Sequence, residues 1–406
     1  MKRVAPIRIV LGFAAAIFAL WLSLSVTLAE IAAARRPELA LRFAPWHAGA
    51  QAQLAYSRVL TSKHEQDIRF AQDLSQRAYK REVVNVTALT TLALIADYAG
   101  RERDALANMV AAERLSRRNV PTELWLIEHE AAAGRVNGAL RHYDHALRTS
   151  ASSGHLLYPI LIAASSEPEV TMALQALLSA DPPWRRTFMS RLADEGNHAP
   201  SKAKLAASAL NLRRDRDLLA HFITRLVERR QYAAAWQLYE HAVGLERARN
   251  LVRDGRFYAP GDMPEFEWAL LEEGDLSAVR EISSRTNAMA LYVSSSAGAG
   301  GRVARQSLKL SAGRYTFSAV LTGAEDLVDG ELVFAINCSA EPAALVMRYK
   351  ASLTAGREDR ASVAFAIPQG NCEFQRLTIE MVPSSGGDTT SAWVHSVEIR
   401  PIANDR

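Results

Sequence analysis

Gly134-Arg135-Val136-Asn137-Gly138-Ala139-Leu140-Arg141-His142-Tyr143-Asp144-His145-Ala146 is the stretch on which the fold of the N-terminal half turns. Ala139 and Ala146 stand seven residues apart, with Tyr143 four residues past the first, so all three fall on one face of a helix. The pattern recurs along the chain. Ala71, Ala105, Ala139 and Ala173 follow one another at 34-residue steps, and Ala78, Ala112, Ala146 and Ala180 keep the same step. Met109, Tyr143 and Leu177 occupy the bulky position, and Gly100-Arg101 precedes Gly134-Arg135 by one period. A fixed period of this length predicts stacked helical hairpins, with alanine permitting close helix packing and glycine turning the chain between antiparallel helices.

The order of turn glycine, alanine, bulky apolar residue and alanine resembles the second helix of the tetratricopeptide repeat, over roughly residues 45–250. A late unit, Ala235 to Ala242, keeps alanine, tyrosine and alanine at Ala235, Tyr239 and Ala242 but lies out of phase. The tryptophan, leucine and glycine of the family's first helix are mostly absent, and Gln66 and Pro168 replace the turn glycine in two units. A generic alpha-solenoid fits the same alanine-rich pattern. The resemblance implies a curved helical domain over 37–254 whose groove receives a protein partner. Arg101, Arg135 and Arg141 read as a solvated face. His142 and His145 share a helix side, but the sequence identifies no third ligand, so they read as solvent-exposed and no metal site is expected.

Outward from this array, Ile9 to Ala29 carries no charged residue and as a helix spans about 31 Å, a bilayer core. This is an uncleaved signal-anchor or a cleaved signal sequence; a cleavable apolar core is usually shorter, which favours the anchor. Lys2, Arg3 and Arg8 precede the span, so residues 1–8 are expected as a cytoplasmic tail, 9–29 as the transmembrane segment, and the bulk of the chain across the membrane. Only seven of 48 basic residues are lysine. That bias reads as GC-rich bacterial coding and makes the expected location the bacterial inner membrane, single-pass, with the rest periplasmic.

Beyond Gly255 the pattern changes to alternation. Runs at 290–293, 303–310, 315–321, 332–338, 344–349, 362–367, 377–382 and 393–399 are separated by Gly, Pro, Asp and Ser clusters, which predicts an antiparallel β-sandwich, a jelly roll, over 260–403. Gln306 to Leu310, then Ala312-Gly313, then Tyr315 to Ser318 reads as strand, tight turn and strand. The region resembles the galactose-binding-like jelly rolls that include many carbohydrate-binding modules. That resemblance implies sugar contacts from exposed aromatic rings and polar neighbours, for which Trp268, Tyr292, Tyr349, Trp393, Gln306 and Arg348 are the candidates; each also fits a core-packing role. Cys338 and Cys372 are disulfide candidates or two buried thiols.

The net charge of +4 is spread over interleaved basic and acidic residues, with no run of more than two Lys/Arg, so nucleic acid is not an expected partner. No nucleophile elbow, His-Glu-x-x-His or Walker loop occurs; Gly298, Gly300 and Gly301 lack the following Lys-Ser/Thr. Neither a catalytic residue nor a cofactor is expected. The functional expectation is a membrane-anchored periplasmic scaffold or adaptor that binds a protein partner, in exopolysaccharide or cell-envelope assembly. The alternatives are a carbohydrate-binding protein using the jelly roll and a glycan hydrolase or lyase.

Overall fold

The structure, a computed structural model, describes residues 5–195, 197–244, 250–259, 261, 263, 265–271, 274–296, 298–324, 330–340, 343–382 and 389–402. Residues 1–4 of the expected tail and residue 403 of the expected sandwich lie outside them. Helices fill the N-terminal half and two antiparallel sheets the C-terminal part, as the two periodicities require. The chain divides into compact units at residues 184 and 185.

The first unit holds α1 (Ala5–Ala33), α2 (Pro37–Phe43), α3 (Ala48–Thr61), α4 (Glu65–Arg81), α5 (Val86–Tyr98), α6 (Glu102–Leu115), α7 (Val120–Ala132), α8 (Val136–Thr149), α9 (Ser153–Ala164) and α10 (Pro168–Ser179). Within α1, Val10–Ala33 is long and apolar enough to cross a membrane. Its last turns do not stop at the apolar boundary. Ala29 is buried with Ala40 of α2, Ala44 at the C-cap of α2 and Ala50 of α3, and Glu30 meets His47 at 2.6 Å.

Sequential helices pair, α3 with α4, α5 with α6 and α7 with α8. The register alanines Ala71, Ala78, Ala105, Ala112, Ala139 and Ala146 are all buried, as are Met109 and Tyr143 between them. The fourth unit departs from the register. In α10 the buried residues are Thr171, Leu174 and Leu178, while Ala173 is half-buried and Ala180 is exposed beyond the helix end. Leucines one position along offer more apolar area than the alanines, so the buried face is rotated by one residue.

Gly100 and Gly134 end α5 and α7 at φ of 70° and 71°. Each closes a Schellman cap. Arg101 N donates to Ala96 O and Gly100 N to Asp97 O, and Arg135 N to Glu130 O and Gly134 N to Ala131 O, all at 2.9 Å. The opposite ends carry a repeat signal that the alanine register does not reveal. Asn85 and Asn119, also one period apart, accept from Ala88 N at 2.9 Å and Thr122 N at 3.0 Å as N-caps of α5 and α7.

The second unit begins with α11 (Arg185–Glu195), α12 (Ala199–Ala209), α13 (Arg216–Glu228) and α14 (Tyr232–Val243). Ten strands follow: β1 (Ala269–Leu270), β2 (Leu276–Ile282), β3 (Met289–Ser295), β4 (Gly301–Lys309), β5 (Gly313–Gly323), β6 (Glu331–Cys338), β7 (Leu345–Ser352), β8 (Glu358–Ile367), β9 (Phe374–Val382) and β10 (Thr390–Pro401). All eight runs expected from alternation fall on β3 to β10. One sheet has the order β1-β4-β9-β6-β7 and the other β2-β3-β10-β5-β8. Their inner faces form one core that contains Val303, Leu308, Phe317, Phe334, Leu377, Ile379, Val394 and Ile399. Phe317 of one sheet meets Phe334 of the other at 5.4 Å between ring centroids.

The helix-to-strand change falls between Val243 and Ala269, yet α11–α14 belong to the same compact unit as the sandwich. The reason is aromatic packing on the outer face of the β1-β4-β9-β6-β7 sheet. Tyr232 stacks on Phe374 at 5.7 Å, Trp236 and Tyr239 each approach Phe266 at 5.2 Å, and the Lys309 ammonium sits 5.8 Å over Trp236. Burial this deep holds the Tyr239 phenol well above its ordinary range, and the nearby Glu267 carboxylate adds to the effect. Strand β6 is accordingly buried at six of its eight positions, with both faces covered.

Candidate functional site

The covered sheet face is not filled everywhere. Between the α13–α14 turn and strands β4, β6 and β9 lies an open cleft of about 550 Å³, within the usual size of small-ligand sites, about 300–1,000 Å³. Four guanidinium groups line it, Arg302 and Arg305 from β4, Arg376 from β9 and Arg230 from the turn, together with the carboxylates of Glu228, Glu265 and Glu380.

Local structure aims these side chains. On a regular strand, positions three apart face opposite ways. The register of β4 against β9 shifts between Arg302 and Ala304, and that bulge brings Arg302 and Arg305 to the same wall. Arg302 then lies opposite Glu380, and Arg305 opposite Thr378. Arg376 is flanked by Ser307 and Asn337 on the two neighbouring strands. Arg230 enters from the C-terminal end of α13, where it occupies the left-handed position of a Schellman cap at φ 60°. Arg230 N donates to Val227 O and Gln231 N to Leu226 O, each at 2.8 Å. Glycine fills that position in α5 and α7.

Arg305 Nη2 donates to Glu265 Oε1 at 3.1 Å, and Glu265 is almost wholly buried. Arg305 Nε and Arg376 Nε, in contrast, are buried and have no hydrogen-bond partner among the described residues. Four guanidinium groups on one cleft are suited to an acceptor-rich ligand. The floor is held in place by the Cys338–Cys372 disulfide, with 5.0 Å between Cα atoms, next to the lining residues Ser339 and Asn337.

The residues singled out by sequence are not brought together. Trp268 is 1% exposed; its indole donates to Asp254 O at 3.2 Å and its ring packs on Phe257, so it plugs the core and cannot present a face to a sugar. Gln306 is fully buried and its amide clamps the Arg253 backbone, accepting at 3.0 Å and donating at 2.9 Å, so it too is structural. Tyr349 is half-buried against the core, its hydroxyl 3.3 Å from Asp359, and burial raises its pKa. Arg348 is exposed on β7 at the sheet edge. Tyr292 and Trp393 do meet. They are cross-strand partners, half-buried on the outer face of the other sheet, with centroids 4.8 Å apart. The cleft arginines were not among the candidates, because neither the bulge nor the helical cover is visible in strand alternation.

A second cluster corrects the reading of His142 and His145 as solvent-exposed. His142 is 1% exposed, and His145 is half-buried beside it. Glu113 of α6 and Glu123 of α7 face both imidazoles. Glu123 is fully buried, with its Oε2 at 2.8 Å from His142 Nδ1.

No protein-family model and no curated protein matches the chain. Solved structures similar to the β region include a Bacteroides thetaiotaomicron protein of inferred sugar binding, at 10% identity and TM-score 0.30, covering 38% of this chain and all of that one. A Family 16 Carbohydrate Binding Module is similar at 14% identity and TM-score 0.27, over 37% of this chain and 99% of the module. The CBM22-1 xylan-binding domain from Paenibacillus barcinonensis is similar at 11% identity and TM-score 0.27, over 34% and 86%.

Proposed function

We propose that the chain is a membrane-anchored carbohydrate-binding protein whose β-sandwich unit takes an acidic glycan in the arginine cleft. The observation that carries this reading is the convergence of Arg230, Arg302, Arg305 and Arg376 on one open cleft. A guanidinium binds a uronate carboxylate with two parallel hydrogen bonds, and Asn337, Ser339 and Thr378 supply the donors and acceptors that sugar hydroxyls need. Tyr232 offers part of its ring at the rim for the apolar face of a pyranose.

The cleft reads as binding rather than hydrolytic. Its buried acid, Glu265, is held by Arg305. An acid engaged in an ion pair is not free to hand a proton to a leaving group.

Retention of the anchor is supported by Ala29, which packs on Ala40, Ala44 and Ala50; removing the segment at that point would strip a buried contact from α2 and α3. A disulfide supports a compartment outside the reducing cytoplasm, in keeping with the periplasm.

The test is affinity electrophoresis of the detergent-solubilised full chain through gels that contain polygalacturonate or a neutral galactan. Retardation by the acidic polymer alone, weakened about tenfold or more in Arg305→Ala and Arg376→Ala and reduced by salt, is expected. Equal mobility in both gels, or variants that behave like the parent, overturns the reading.

A further inference from the structure

We propose that Glu113, Glu123, His142 and His145 form a zinc site that ties α6, α7 and α8 together, independent of the glycan cleft. The geometry starts with helix spacing. His142 and His145 are three apart on α8 and project from one side, with the rings edge-on at 5.8 Å. The two carboxylates come from the two preceding helices, so the set is assembled only by the hairpin packing.

One ligand atom from each residue lies within 4.8 Å of every other. His142 Nδ1 is 2.8 Å from Glu123 Oε2 and 3.6 Å from Glu113 Oε1; His145 Nδ1 is 3.5 Å and 3.4 Å from the same two oxygens. Metal–ligand bonds of about 2.0–2.1 Å in a tetrahedron separate neighbouring ligand atoms by about 3.3 Å. The four imidazole–carboxylate separations scatter around that value, and no pair of ligand atoms exceeds it by more than about 1.5 Å, a distance that side-chain rotation covers.

Two further observations point to a cation rather than to a self-satisfied ion-pair cluster. Glu123 Oε1 is buried with no hydrogen-bond partner, and so is His145 Nδ1, although two carboxylate oxygens stand within 3.5 Å of it. Two carboxylates with two neutral imidazoles carry a charge of −2, which a divalent ion cancels. Mixed imidazole and carboxylate donors at tetrahedral spacing suit Zn²⁺ better than Ca²⁺ or Mg²⁺, which take six or more oxygens. Four protein ligands leave no open position, so the role is structural. The Arg141 guanidinium lies 3.4 Å from His142 Nε2. Binding at Nδ1 makes Nε2 a donor, and Arg141, being exposed, swings aside.

The experiment uses the full chain in detergent, purified without a polyhistidine tag and stripped with a chelator. About one equivalent of Zn²⁺ is expected to bind, to raise the unfolding temperature, and to slow amide exchange in α6, α7 and α8. Glu113→Gln and His145→Asn are expected to weaken binding at least tenfold, whereas Arg141→Ala binds as well as the parent or better. Failure to take up zinc, uptake unchanged in both ligand variants, or protection that appears away from these three helices overturns the proposal. Should the variants fold poorly, the exchange map of the parent chain decides by itself. Loss of glycan binding with intact zinc binding, or the reverse, separates this site from the cleft.

Discussion

Arg185 and Asp215 form a bidentate ion pair in the interior of the second unit, with Nη2 to Oδ1 at 2.9 Å and Nη1 to Oδ2 at 3.2 Å. Both side chains are at most 5% exposed. The pair joins the first residue of α11 to the N-cap of α13; Arg185 also donates to the Ala209 carbonyl, and Asp215 also accepts from the Asn211 amide. Burial pushes the Asp215 carboxyl up, but the hydrogen bonds from Arg185 and Asn211 outweigh it and hold the pKa below its ordinary value. Asp215→Ala leaves the guanidinium buried without its counter-charge and is expected to cost about 3–5 kcal/mol. Urea denaturation followed by circular dichroism measures it; a loss below 1 kcal/mol refutes the assignment.

Gly134 and Arg230 occupy the same backbone state with opposite consequences. A Cβ at Gly134 would meet nothing within 4 Å, so Gly134→Ala loses stability through the φ of 71° alone, about 1 kcal/mol. Arg230→Gly relieves the matching strain at φ 60° and is expected to gain a similar amount while weakening acidic-glycan binding. Melting curves and affinity gels on both variants give the comparison. A stabilised Arg230→Gly with unchanged binding would remove this residue from the cleft.

Lys202 is buried, donates to Ala193 O at 2.8 Å, and has its pKa lowered from 10.5 to about 8, chiefly by burial and then by repulsion from Arg229. Between these values the unfolded chain holds a proton that the folded chain has released, so this group makes stability rise as pH goes from 8 towards 10. Above pH 10 the buried Tyr239 and Tyr315, whose pKa values are raised, act in the opposite sense. Lys202→Met is expected to flatten the rise in a pH series of unfolding free energies. A parent chain whose stability is level or falling from pH 8 to 10 contradicts this.

The Cys338–Cys372 bridge closes a loop of 34 residues. On the chain-entropy account such a loop stabilises by about 4 kcal/mol. The double variant Cys338→Ser, Cys372→Ser is expected to melt lower and, by loosening the end of β6, to bind acidic glycan less tightly. Equal melting temperatures for oxidised and reduced protein would argue against a stabilising bridge.

Much of the architecture was legible because it rests on local periodicity. The 34-residue alanine step announces buried helix faces, Gly100 and Gly134 announce the caps, and alternation announces β3 to β10. Where local signals compete, the prediction slips. Ala173 and Ala180 keep the register, but Leu174 and Leu178 bury more surface and take the inner face. The aromatic candidates divided for a related reason: Trp268 and Tyr292 are equally suited by type to stack on a sugar, and only packing sends one to the core and the other to the surface.

By itself, then, the sequence determined the apolar N-terminal helix, the helical hairpins and the strands of the sandwich, because each is written in residues close together along the chain. Tertiary structure alone decided the sites. A one-residue bulge turns Arg302 to the side of Arg305, the α13–α14 turn brings Arg230 over them, and three successive helices carry Glu113, Glu123, His142 and His145 to within 4.8 Å. Side chains far apart in sequence meet only once burial has set the register between elements, and that register depends on the sum of all their contacts.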